Sequence, residues 1–125
     1  NQAQYYAGMA YLNTGKYEDA IEYLDDFESD DPVFSVIATG SIGDAFLELG
    51  QPQEALDYYD RAVSGESNNL VVPFYLKKAG ILAEEQGDLK KSKEYFTRIQ
   101  KDFKDSQQAA DIEKFIARVE AKIEA

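Results

Sequence analysis

Three stretches of the chain repeat one arrangement of apolar and polar positions. GMAYLNTGKYEDAIEYLDDF (Gly8 to Phe27), GDAFLELGQPQEALDYYDRA (Gly43 to Ala62) and GILAEEQGDLKKSKEYFTRI (Gly80 to Ile99) align without a gap, at spacings of 35 and then 37 residues. In each, apolar residues recur at helical spacing, stop at Gly15, Gly50 or Gly87, and then resume. Each copy therefore reads as two short helices, A and B, joined at a glycine. A period of this size means stacked units, none of which buries its apolar face alone. The predicted helices cover about 2–14 and 17–27, then 33–49 and onward to 64, then 73–86 and 88–103.

The shared columns have physical reasons. Gly15, Gly50 and Gly87 fall where a helix end needs a residue tolerant of the left-handed conformation. Pro52 pre-sets the backbone of a first turn, and Asp88 can cap exposed amides. Small residues at Gly8, Gly43 and Gly80 on helix A, and at Ala20, Ala55 and Ser92 on helix B, let the paired helices approach closely. The bulky columns fill the space between helices: Tyr11 and Phe46 on helix A, with Leu24, Tyr59 and Phe96 on helix B. Tyr23, Tyr58 and Tyr95 share a further column.

A helix-turn-helix unit with small residues at two crossing positions, a glycine between the helices and a proline near its end resembles a tetratricopeptide repeat. Repeat 1 fits best, with Gly8, Tyr11, Gly15, Tyr17, Ala20, Phe27 and Pro32. Repeat 3 departs most, with Ala83 in an aromatic's place, Ser92 for alanine and no proline near Lys104. The expected fold class is all-α: a solenoid of three such repeats, at about 1–32, 33–66 and 73–104, with a capping helix at about 106–125, in a single domain. The connection from Gly65 to Val72, with its GESNN turn chemistry, absorbs the two extra residues of the second period. In the last segment Ile112, Phe115, Ile116, Val119 and Ile123 form one stripe opposed by charges of both signs. That pattern suits a cap over the Phe96, Ile99 and Phe103 side of repeat 3 better than a membrane-surface helix, whose polar face would be basic.

Charge changes the picture more than composition does. The formal net charge is −11, but residues 1–64 hold thirteen acidic and two basic side chains, while residues 65–125 hold eleven of each. Nucleic acid is excluded as a partner, since phosphate contacts need concentrated Lys and Arg. The unbalanced half is expected to steer a cationic partner, solubility alone being the alternative reading of the excess acid. The acidic run from Asp25 to Asp31 lacks the central glycine of a calcium loop and reads as a solvated turn. Without His or Cys, no motif sets a nucleophile beside its base, so neither catalysis, a metal site nor a cofactor is expected.

The resemblance implies a groove lined by successive A helices: Tyr5, Met9 and Leu12, then Ile37, Asp44 and Leu47, then Phe74, Lys77, Lys78 and Ile81. Such Met-containing and aromatic surface suits peptide or unfolded segments. A chaperone-adaptor clamp for a terminal carboxylate is not expected, because its positions hold Tyr5, Met9, Ser41, Phe74 and Lys78, and only the last supplies a suitable charge. The opening NQAQYYAGMAYLNTGKYEDAIEYLDDF and the ending YFTRIQKDFKDSQQAADIEKFIARVEA also resemble the soluble C-terminal part of bacterial envelope repeat proteins tethered by one N-terminal membrane helix, similar to ancillary subunits of the protein-export translocon. That second resemblance implies an upstream anchor and a place on the periplasmic side of the inner membrane, the cytoplasm being the alternative. The expected function is a non-catalytic scaffold for protein or peptide recognition, chaperone-like in the bacterial envelope. A self-associating spacer, joined through the first helix, is the alternative.

Overall fold

The three expected hinges all close in the same way. The computed structural model describes residues 1–65 and 68–125. In it Gly15, Gly50 and Gly87 take φ of 79°, 74° and 83°, the left-handed region that a side chain would strain. At the first hinge the Lys16 amide donates to the Tyr11 carbonyl (2.8 Å) and the Gly15 amide to that of Leu12 (3.2 Å). The second and third hinges repeat the pair, Gln51 to Phe46 with Gly50 to Leu47, and Asp88 to Ala83 with Gly87 to Glu84. This double bond satisfies the last carbonyls of each A helix and turns the chain into its B helix.

The helices are α1 (Gln2–Asn13), α2 (Tyr17–Asp25), α3 (Pro32–Glu48), α4 (Pro52–Val63), α5 (Val72–Glu85), α6 (Leu89–Asp102) and α7 (Ile112–Glu124), with a 3₁₀ segment at Gln107–Asp111 before the last. Among the described residues there is no strand. Starts are set by caps: Asn1, Asp31 and Asp88 accept from the amides of Gln4, Val33 and Lys91, and Pro52 opens α4. The acidic run 25–31 ends α2 and leads to the Asp31 cap, with its carboxylates exposed. The chain forms two compact units, Asn1–Glu66 and Ser67–Ala125. The division falls in the long connection, where Glu66 and Ser67 of the expected GESNN turn lie outside the described residues.

In unit 1, α1 pairs with α2, α3 pairs with α4, and α3 also lies against α2. Its core gathers Tyr5, Leu24, Ala38 and Ile42, with Met9, Ile21, Phe27, Phe34, Ile37, Phe46 and Tyr58 packed around them. In unit 2, α5 pairs with α6, and α7 lies against α6 as α3 lies against α2. The final helix thus takes the seat of a next repeat's helix A, with Phe115 against Phe96 (ring centroids 5.3 Å) and Ile112 and Val119 buried. The expected stripe is shorter than its sequence pattern, because Ile123 is exposed and the first turn of the segment is 3₁₀.

The glycine column explains how tightly each pair closes. A Cβ added at Gly8 would lie 2.7 Å from Leu24 side-chain carbons, and one at Gly43 would lie 2.7 Å from the Tyr59 ring and 3.1 Å from the Ala55 carbonyl oxygen. At Gly80 it would enter the ring of Phe96. Leu24, Tyr59 and Phe96 are all fully buried, so each bulky side chain rests directly on bare backbone. Ser92, the odd member of its column, donates its hydroxyl to the Gly80 carbonyl at 2.7 Å, which satisfies a buried polar group at that crossing. Alanine at Gly43 would gain about 1 kcal/mol of helix propensity against an overpacking cost of about 1–3 kcal/mol. We expect Gly43→Ala to lower the urea unfolding midpoint, and Gly8→Ala to do so less because leucine repacks more easily than a tyrosine ring. A raised midpoint for Gly43→Ala would refute the close-contact account.

Candidate functional site

The residues expected to line a groove fall into two groups, one in each unit. In unit 1, α1 and α3 carry Tyr5, Met9, Leu12, Ile37, Asp44 and Leu47. Tyr5 is not open surface. It is 8% exposed, its ring lies 5.2 Å from those of Phe27 and Phe34, and burial, with Tyr6 beside it, pushes its phenol pKa up. The residue is part of the core because α3 brings Phe34 down beside it. Met9 and Ile37 pack on the same core and remain half-buried, as does Leu12. Leu47, the penultimate residue of α3, is 42% exposed. The charged side chains on that part of α3 are Asp44, which accepts the Tyr59 hydroxyl, and Glu48, which is exposed. The hydroxyl of a buried tyrosine on helix B thus fixes a carboxylate at the edge of the A-helix face.

In unit 2, α5 carries Phe74, Lys77, Lys78 and Ile81. Phe74 is 43% exposed and stacks edge-on with Tyr75, while the Lys78 ammonium lies 4.6 Å from the Phe74 centroid and 5.6 Å from that of Tyr75. Ile81 is half-buried. Lys77 departs from expectation: it bonds Asp111 at 3.1 Å and sits 4.7 Å above the Phe115 ring. That bond is the main reason the Asp111 carboxyl is held below its ordinary range. Lys77 therefore serves the seating of α7, a role that requires a partner 34 residues away and leaves no local sequence signal.

The same helix carries a residue that sequence reasoning missed. Glu84 on α5 has a buried side chain, 5% exposed, and takes both Arg118 (Nε 2.8 Å, Nη2 2.5 Å) and Lys122 (2.6 Å) from α7. A bidentate guanidinium pair with a second cation is the strong form of such a contact. The Arg118 hydrogen bonds hold the Glu84 carboxyl below the usual glutamate range, with burial opposing and Lys122 reinforcing. Lys93 on α6 adds a more exposed bond to Glu120 at 3.1 Å. Ser41, one of the positions of a carboxylate clamp, is buried with Tyr5, so unit 1 offers no open pair of donors there.

Two matches to family models follow these features. A tetratricopeptide repeat model matches residues 5–69, and a second tetratricopeptide repeat model matches residues 75–106. No curated protein matches the chain. Among the described residues, no group of three or more His, Cys, Asp or Glu side chains is placed to hold a metal ion, and no helix is long and apolar enough to cross a membrane.

Because the folded-state pKa of Glu84 is depressed, its contribution to stability is present above the ordinary glutamate value and is lost as pH falls below it. We expect Glu84→Gln to destabilise unit 2 by about 1–2 kcal/mol at neutral pH, allowing for two partners that are half in solvent. The gap from the parent chain should close below about pH 4. Chemical denaturation of both proteins across that range checks it; a gap independent of pH would mean that shape, not charge, explains the loss.

Proposed function

The chain belongs to the tetratricopeptide repeat family, a fold that works through protein–protein contact, and from that premise we propose that its A-helix faces receive polypeptide segments in which apolar anchors alternate with positive charge. The observation that carries this reading is Leu47, left 42% exposed on α3, with the half-buried Asp44 three residues before it and the exposed Glu48 next to it. An exposed leucine flanked by acids matches an incoming apolar side chain followed by Lys or Arg. Met9, Leu12 and Ile37 extend the apolar surface on the same unit, and Met9 supplies a side chain that adapts to varied shapes. Phe74 provides a separate aromatic anchor on unit 2. The excess of thirteen acidic over two basic residues in 1–64 raises the encounter rate with cationic segments.

Segments of that kind are exposed by chains that have not yet folded, and this supports a chaperone-like role. The resemblance of the two ends of the sequence to envelope-tethered repeat proteins supports a setting in the bacterial envelope, outside the inner membrane. Binding is tested by fluorescence anisotropy of labelled unstructured peptides, in which leucine and phenylalanine alternate either with lysine or with glutamate. The lysine peptide should bind the whole chain at least about tenfold more tightly at low salt, and the advantage should shrink as salt rises. Leu47→Ala combined with Phe74→Ala should abolish binding without loss of helicity. Equal binding of the two peptides, or binding untouched by the double substitution, would sink the proposal.

A further inference from the structure

The polar rim between α5 and α7 holds more positive charge than the seating of α7 needs. Four cations, Lys77 on α5 and Lys114, Arg118 and Lys122 on α7, share two carboxylates, Asp111 and Glu84. Lys77 bonds Asp111, Lys114 lies within electrostatic reach of the same group, and Arg118 and Lys122 converge on Glu84. One cation on each carboxylate would hold the helix, so four against two leaves two positive charges in excess, in a chain of net charge −11. Glu85 and Glu113 each stand one residue off this row on their helices, turned about 100° from it. Counting back from Lys77 and Glu84 by the 37-residue period gives Gly40 and Leu47 on α3, so the cluster is particular to unit 2.

The excess is concentrated at one ring. The Lys77 ammonium lies 4.7 Å, the Arg118 guanidinium 4.8 Å and the Lys114 ammonium 5.6 Å from the centroid of the half-buried Phe115 ring. Like charges gathered this closely repel, and the ring offsets only part of that cost. The cations also stay within reach of a partner: the Arg118 and Lys122 side chains are 45% and 51% exposed, whereas the Glu84 they share is 5% exposed. Lys114 is exposed as well. The rim is bounded on both sides by helices of the unit.

We propose that this rim binds an extended acidic polypeptide segment with carboxylates at alternate positions. Lys114, Arg118 and Lys122 recur every four residues along α7, which sets them about 6 Å apart along its axis. Alternate side chains of an extended chain lie about 7 Å apart on one face. Successive carboxylates therefore meet successive cations. Charge complementarity selects this partner, since incoming carboxylates neutralise the surplus and relieve the repulsion around Phe115. The contact is weak, with a dissociation constant on the order of 1 mM, because the cations are half in solvent. It goes beyond the Leu47 and Phe74 reading and does not rest on it, because neither residue takes part and the charge selected is of opposite sign.

Two-dimensional amide NMR of the whole chain, titrated with an end-blocked peptide in which glutamate alternates with serine, reads site and affinity together. Shifts should be confined to the parts of α5 and α7 around Lys77, Lys114 and Arg118. They should be absent when glutamine replaces glutamate, and should fade as sodium chloride rises from ~0.05 to ~0.5 M. Lys114→Gln with Lys122→Gln should weaken binding at least about tenfold, while the Arg118–Glu84 pair keeps α7 in place and circular dichroism stays unchanged. Leu47→Ala with Phe74→Ala should leave the glutamate titration as it was, so failure here and failure of the cationic-peptide reading are told apart. No shifts, shifts centred on α3, equal shifts with the glutamine peptide, or full affinity in the Lys114 and Lys122 variant would each overturn the inference. Shifts in α5 and α7 that grow with protein concentration alone would give the rim to the acidic run 25–31 of a second copy and overturn the choice of partner.

Discussion

Everything in this molecule depends on a bulky side chain resting on a glycine. Leu24 lies on Gly8, Tyr59 on Gly43 and Phe96 on Gly80, with buried side chains meeting backbone in each case. The contact sets the distance between the helices of a pair. The left-handed glycines at the hinges set the turn between them. With those two constraints met three times, the small column at Ala20, Ala55 and Ser92 is fully buried. The A-helix faces then take their positions from packing and need no dedicated bonds.

The repeats were legible because their determinants are local and recur. Gly15, Gly50 and Gly87 mark turns within a few residues of the groups they satisfy, and the apolar spacing marks the helices on either side. What was not legible depends on residues far apart. Tyr5 reads as a groove residue by its register and becomes core because Phe27 and Phe34 close on it. Lys77 reads as a groove residue and is engaged by Asp111 and Phe115. Glu84, one acid among many in the sequence, stands out only when α7 delivers Arg118 and Lys122 to it. Met9, Leu12 and Ile37 are half-buried, and Leu47 and Phe74 are exposed.

The two units use different means to finish their stacks. Unit 1 is joined internally by apolar and aromatic packing, and its charged side chains lie on α2, on α4, at Asp44 and Glu48 of α3 and in the turns that lead into α2 and α3. Unit 2 seats its last helix by apolar contact along Phe96, Ile112 and Val119 and then by a polar rim of Lys77–Asp111, Lys93–Glu120 and the Glu84 pair. Apolar burial supplies the larger share of such an interface, and directional charge pairs fix its register. Part of the balanced charge of residues 65–125 is bonded internally, through Lys77–Asp111, Lys93–Glu120, Arg98–Asp102 and the Glu84 contacts, whereas the excess acid of residues 1–64 is mostly exposed and projects a field.

The last helix occupies the place of a next repeat's helix A, and this bears on how such a chain changes length. A helix that imitates the unit it follows can be displaced outward by one whole unit without any new kind of contact. Duplication of a hairpin ahead of residue 107 would move α7, with its charged outer face, onto the new end. The bonds it makes would need equivalents of Lys77 and Glu84 on the inserted helix A and of Lys93 on the inserted helix B. Growth and shrinkage by repeats are thereby separated from the problem of solubility, since the same helix can end an array of any size.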